Sequence, residues 1–137
     1  MSGRETLGRV MIIDDDQIDQ KMYARILKRS GLVTDIVPFV YVADALEYLM
    51  DAGSPEVDLI LLDINMPAMN GFEFLEAARS QADVLRRIPV VMMLTTSMSP
   101  ADRERAGSFP EIKAYTNKPL SQQHLDLALQ VVRQSHS

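Results

Sequence analysis

Short apolar runs, too brief for helices, alternate along the chain with longer stretches in which apolar residues return at helical spacing. That alternation predicts a βα repeat built on a parallel sheet. Strands are expected at about Arg9 to Ile13, Thr34 to Pro38, Val57 to Leu62, Pro89 to Leu94 and Lys113 to Thr116. Leu59-Ile60-Leu61-Leu62 and Val90-Val91-Met92-Met93-Leu94 are aliphatic throughout. Strands covered on both faces have that composition, so these two take central positions. Pro38 cannot donate to a ladder, which puts the second strand at an edge.

Between the strands the period changes to that of a helix. From about Gln17 to Ser30, Ile18, Met22, Ile26 and Leu27 are expected to face inward, with Gly31 as the left-handed residue that ends the helix. Val42, Ala45, Leu46 and Leu49 repeat the pattern, closed by Gly53 and Pro55. A third helix starts near Asn70-Gly71 and uses Phe72, Leu75 and Ala78, and a short fourth follows Ser99-Pro100, a cap followed by a favoured first residue. The fifth opens at Ser121 and buries Leu125, Ala128, Leu129 and Val132, leaving Leu127 and Val131 off that stripe to line a contact surface. The pattern gives five βα units in one α/β domain over residues 1–137, with 1–8 a flexible lead-in.

Composition narrows the function classes. With 47% hydrophobic and 24% charged residues in 137, the chain suits one compact domain rather than a disordered tail. No cysteine is present, which excludes disulfides and thiolate metal sites and fits a reducing cytoplasm. The start MSGRETLG has no apolar core of a signal peptide, and no aliphatic run approaches the ~18 residues of a membrane span, so no membrane partner is expected. A net charge of −5, with arginines interspersed among acids, offers no basic stripe for phosphates and disfavours direct nucleic-acid binding. Proteins and cations are the expected partners.

The chemistry lies at the strand ends. The first strand runs into Asp14, Asp15 and Asp16, the third into Asp63, the fourth into Thr95, Thr96 and Ser97, and the last into Lys118-Pro119. In open parallel sheets ligands bind outside the carboxyl ends of the strands, so these groups are expected to converge. Two carboxylates ~4 Å apart repel by ~1 kcal/mol in water and ~4 at an effective dielectric of about 20, so something must offset the crowding. An all-oxygen set suits a hard divalent cation, Mg²⁺ in particular, and Lys118 adds a second positive charge. A carboxylate held beside Mg²⁺ and a lysine is placed to attack phosphorus and form an acyl phosphate, with Thr95 hydrogen-bonding a phosphoryl oxygen. Taken singly, each group has an ordinary explanation: a solvated turn, a strand terminator, a hydroxyl turn, a surface lysine. One phosphoryl site explains all four together.

The strings IIDDD, LLDINMPAMNG, LTTS and YTNKP, in this order between about Arg9 and Gln134, resemble the receiver domain of two-component response regulators. The resemblance implies a doubly wound, flavodoxin-like (βα)5 sheet in the order 2-1-3-4-5. It implies that Asp63 is the phosphoacceptor, fed by a sensor histidine kinase or phosphotransfer protein. By the same likeness Asp15 binds Mg²⁺ directly and Asp14 through water, with Asp63 and the Asn65 carbonyl as further ligands. Thr95 and Lys118 contact the phosphoryl group, and Tyr115 is the aromatic switch that follows Thr95. Asn65 and Ser97 tune hydrolysis, and Lys118-Pro119 is cis. Pro89 to Thr95 is one residue longer than the family pattern, which leaves Thr96 as a second candidate for the switch hydroxyl; Asp16 is left to cap the first helix. No effector domain is expected after the fifth helix, so output is expected through protein contacts on the face of the fourth helix, fifth strand and fifth helix, homodimerisation included, or else the domain is an intermediate carrier in a relay.

Such a protein is a switch that catalyses only its own phosphorylation and dephosphorylation. The alternative is a degenerate receiver, an interaction module indifferent to phosphate. A phosphohydrolase is disfavoured because Asn65 stands where such enzymes place a second acid. A flavodoxin is disfavoured because three aspartates after the first strand would repel a flavin phosphate. The nine methionines are most simply gap-filling core and surface residues, Met66 in its loop being the least easily explained so, and His124 and His136 are expected on the surface.

Overall fold

The computed structural model describes residues 6–66, 69–81, 90–96 and 99–135. Five strands, β1 (Gly8–Ile13), β2 (Val33–Phe39), β3 (Leu59–Asp63), β4 (Val90–Thr95) and β5 (Ile112–Asn117), form one parallel sheet in the order β2-β1-β3-β4-β5. Among the described residues, the helices between and after them are α1 (Gln17–Ser30), α2 (Val42–Met50), α3 (Gly71–Arg79), α4 (Pro100–Ala106) and α5 (Gln122–Ser135). The strand order is the expected one, with β2 and its Pro38 at an edge. The expected start of the fourth strand at Pro89 lies outside the described residues. Among the described residues no helix is long and apolar enough to cross a membrane.

Side chains alternate across a strand, so each strand feeds two cores. Met11, Ile13, Ile60, Leu62, Val91 and Met93 pack with α2, α3 and the Ala106–Phe109 turn. Val10, Ile12, Leu59, Leu61, Met92 and Leu94 pack on the other face with α1 and α5. β3 and β4 are buried at every residue, which is why they read as unbroken aliphatic runs.

Several local expectations hold. Gly31 ends α1 at φ 72°, and the Asp16 side chain accepts from Ile18 N and Asp19 N as N-cap. Asn70 with Glu73, and Ser99 with Asp102, close reciprocal capping boxes at α3 and α4. Others need correction. Ile18 is 76% exposed and Met22 also faces out, whereas Gln20, Tyr23 and Leu27 form the buried stripe. The physical reason is that Gln20 Nε2 reaches the carbonyls of Ile12, Asp14 and Phe39 at 3.3, 3.1 and 2.9 Å. A buried amide is tolerated where it satisfies backbone oxygens at strand ends.

The lead-in expected over residues 1–8 is too long: Leu7 is fully buried with its N–H on Leu32 O, and Gly8 opens β1. α2 stops at Met50, ahead of Gly53, because Asp51 leaves the helix and its carboxylate takes the Gly53 N–H in a turn. Val131 is half-buried against the α1–α5 side of the core instead of lining a free surface, while Leu127 is exposed. Met66 is buried in the core, and His124 exchanges hydrogen bonds with Ser121 ahead of α5. His136 lies outside the described residues.

Gly71 shows how closely α3 approaches the end of β3. A Cβ there would stand 2.8 Å from the carbonyl oxygen of Asp63, 3.1 Å from Leu62 and 3.2 Å from Met93. Alanine is the better helix residue by ~1 kcal/mol, yet overpacking of this kind costs ~1–3 kcal/mol. Gly71→Ala is therefore expected to lower stability by about 1–2 kcal/mol in urea unfolding; a variant as stable as the parent would show that the approach relaxes.

Candidate functional site

Four of the strands, β1, β3, β4 and β5, deliver polar residues at the same end of the sheet. β1 pairs with β3 in register from Val10–Leu59 to Ile13–Leu62, so the residues that follow, Asp14 and Asp63, emerge side by side. Asp63 pairs with Leu94 across β3 and β4, which brings Thr95 alongside, and the Lys118 N–H donates to Thr95 O at 2.7 Å. Asp14 and Asp63 are almost wholly buried, as is Thr95, whereas Asp15 is exposed.

Carboxylate oxygens of Asp14, Asp15 and Asp63 all lie within 4.8 Å of one another. Lys118 Nζ stands among the acids: it donates to Asp14 Oδ2 at 3.1 Å and to Asp19 Oδ2 at 2.8 Å, and lies 3.5 Å from Asp63 Oδ2. Backbone amides hold the other oxygens. Asp16 N–H donates to Asp14 Oδ1 at 2.9 Å, and Asn65 N–H to Asp63 Oδ1 at 3.1 Å. Asn65 Nδ2 donates to Thr95 Oγ1 at 2.9 Å, tying the loop after β3 to the end of β4.

The electrostatics follow from burial and crowding. Burial pushes the Asp14 carboxyl up from the usual carboxylate range to about 6, against the Asp16 amide; the Asp63 charge adds to the rise and Lys118 opposes it. Burial also raises Asp63, opposed by Lys118 and the Asn65 amide. For Lys118 burial alone would lower the pKa, but the Asp19 hydrogen bond and the charges of Asp14 and Asp63 reverse it, so the ammonium is held above its ordinary range. Tyr23, packed beneath these groups, is pushed up by its own burial.

The expected residues Asp14, Asp15, Asp63, Asn65, Thr95 and Lys118 are thus in one place, and the Lys118-Pro119 bond is cis. Thr95 faces the site while the adjacent Thr96 is exposed; Ser97 lies outside the described residues. Tyr115 is half-exposed on β5 and lines a cavity of about 100 Å³ with Thr95, Arg103, Thr116 and Asn117. Asp19, Gln20 and Tyr23 were not expected here. Their spacing at i, i+1 and i+4 places them on one side of α1. That is the only signal the chain carries for them.

The three carboxylates form an all-oxygen donor set of the kind that holds a hard cation, and the residues present fit Mg²⁺ without any nitrogen or sulfur ligand. Chemically, the arrangement offers a buried carboxylate nucleophile, a fixed ammonium beside it and a hydroxyl donor on the next strand.

The family of response regulator receiver domains matches residues 10–130. The chain is 32% identical to the polar-differentiation response regulator DivK of Brucella anthropi over 113 residues, which cover 82% of this chain and 85% of that protein. Among solved structures it is similar to a two-component response regulator from Cytophaga hutchinsonii, at TM-score 0.84 and 25% identity over 93% of this chain and 98% of the other. It is also similar to the chemotaxis protein CheY4 of Vibrio cholerae, at TM-score 0.73 and 28% identity over 91% and 98%.

Because burial favours the protonated form of Asp14 in the fold, this group is expected to lower the stability of the metal-free protein by up to ~3 kcal/mol as pH rises from about 4 to about 6. Asp14→Asn in EDTA is expected to flatten that part of the stability–pH curve and to be the more stable protein at pH 7. Parallel curves for the two proteins in chemical unfolding would contradict the burial cause.

Proposed function

The chain belongs to the response regulator receiver domain family, and we propose that it is a phosphoaccepting switch whose acceptor is Asp63. The observation that carries the reading is the position of Lys118 Nζ between Asp14 and Asp63, at the mouth of a three-carboxylate cluster. An ammonium and a cluster of acids held this close suit a reaction that brings further negative charge to the same spot.

The donor is the phosphohistidine of a sensor kinase or phosphotransfer protein. Its phosphorus–nitrogen bond breaks, the electron pair returns to the imidazole, and a bond forms between phosphorus and an Asp63 carboxylate oxygen. Asp14, Asp15 and Asp63, with the Asn65 carbonyl, would hold Mg²⁺, which would supply positive charge to offset the acids and the phosphoryl oxygens. Asp63 is held for attack by the Asn65 amide on one oxygen and faced by Lys118 on the other. Lys118 donates to a phosphoryl oxygen. Asn65 and Ser97 govern how fast water reaches the acyl phosphate.

Output is a change of surface. Thr95 exchanges its Asn65 contact for a phosphoryl oxygen, and Tyr115, on the same cavity, follows it. That biases two arrangements of the face formed by α4, β5 and α5, which carries exposed Leu127 and binds the downstream protein or a second copy of the chain. The protein turns over no external substrate, and a cytoplasmic setting goes with this chemistry.

Incubation with phosphoramidate and Mg²⁺ is expected to add one phosphoryl group, stable in acid and labile in base, that EDTA prevents and Asp63→Asn abolishes. Absence of label on the parent protein would overturn the reading and favour a phosphate-independent interaction module. The labelled protein is expected to bind its target or itself more tightly than the unlabelled one, and Leu127→Asp to weaken that binding at least about tenfold, the size of one anchoring apolar contact.

A further inference from the structure

Lys118 has one carboxylate partner that the phosphoacceptor reading does not require. Asp19, the third residue of α1, accepts from Nζ at 2.8 Å, closer than Asp14 at 3.1 Å or Asp63 at 3.5 Å. An acid in the first turn of a helix is ordinarily accounted for by the field of the helix N-terminus, and that account leaves it facing water. Here its side chain is only 19% exposed and bonds a residue 99 positions away.

An ammonium has three N–H donors. Two are engaged by Asp14 and Asp19, which are both anchored on the β1–α1 side of the site through Asp16: the Asp16 N–H holds Asp14 Oδ1, and the Asp16 side chain accepts from the Asp19 N–H at 3.4 Å. The third donor faces Asp63, whose contact is the longest of the three. The nearest anions therefore draw Lys118 toward α1 and away from the acceptor.

We propose that Asp19 is a positioning residue that holds Lys118 back from Asp63 and so sets how fast Asp63 takes a phosphoryl group; this rests on the phosphoacceptor reading above. Phosphorylation raises the charge at position 63 from −1 to about −2, and the phosphoryl oxygens then compete with Asp19 for the same ammonium. With Asp19 neutral, Lys118 closes on the acceptor and on the incoming phosphorus.

Wild type, Asp19→Asn and Asp19→Glu are treated with phosphoramidate and Mg²⁺ well below their unfolding temperatures, and labelling is followed by intact-protein mass. Asp19→Asn is expected to label about three- to tenfold faster, the scale of one charge-assisted hydrogen bond, and Asp19→Glu to stay within about twofold of wild type. The gain is expected to persist at about 0.5 M salt, where a general charge effect is screened. An unchanged or slower Asp19→Asn protein, a gain lost in salt, or an Asp19→Glu protein that matches Asp19→Asn would each overturn the proposal while leaving Asp63 as acceptor. Failure of wild type to label overturns both.

A second measurement needs no metal or donor. A double-mutant cycle of Asp19→Asn with Lys118→Met, in EDTA, is expected to show coupling of at least about fivefold in the unfolding equilibrium constant. Additive effects would overturn the anchor.

Discussion

One ammonium group among carboxylates is the constraint on which the rest of the structure depends. Asp14 and Asp63 are nearly inaccessible to water, and an isolated buried charge costs several kcal/mol. Lys118, delivered by the far end of the chain, is what makes their ionised forms tolerable without a metal. It does so incompletely: burial still raises the pKa of both acids. The donors already in place form an all-oxygen cluster that could hold a divalent cation.

The fold earns this arrangement by register. β1, β3 and β4 end level with one another, and their unbroken aliphatic runs are locked between two cores. A polar residue placed directly after each run has no choice of position. The loops that follow are held by the same economy. Gly71 lets α3 start against Asp63 O, Gln20 stitches the ends of β1 and β2, and the Lys118 N–H is fixed to Thr95 O. Rigid strand ends and short, hydrogen-bonded loops hold the acids, the hydroxyl and the ammonium, while Tyr115 and Thr96 are exposed.

Much of this was legible in the residues. Buried parallel strands leave a plain signature, so β3 and β4 and the acids and hydroxyl at their ends could be named from LILLD and VVMMLT alone. Gly31, Asn70 and Ser99 declared their helix ends through turn and cap chemistry. What was not legible depended on tertiary closeness. Ile18 and Met22 look like core residues until Gln20 is seen bonding three carbonyls, a polar residue held inward because its amide reaches backbone oxygens at the ends of β1 and β2. Leu7 looked like part of a tail because one apolar residue beside glycine has no period. Asp19 has no local signal either, since nothing near it in the chain announces a partner 99 residues away.

Asp14, Asp15 and Asp63 are expected to form one cation site whose charge Lys118 only partly offsets. Calorimetric titration of Mg²⁺ into the wild-type protein and into Asp15→Ala, Asp63→Asn and Lys118→Met tests it most directly. One site is predicted, weakened at least about tenfold by loss of either acid, the scale for removing a carboxylate partner of an ion, and tightened when the competing ammonium is removed. Mg²⁺ binding that ignores Asp15 and Asp63, or no saturable binding at all, would contradict it.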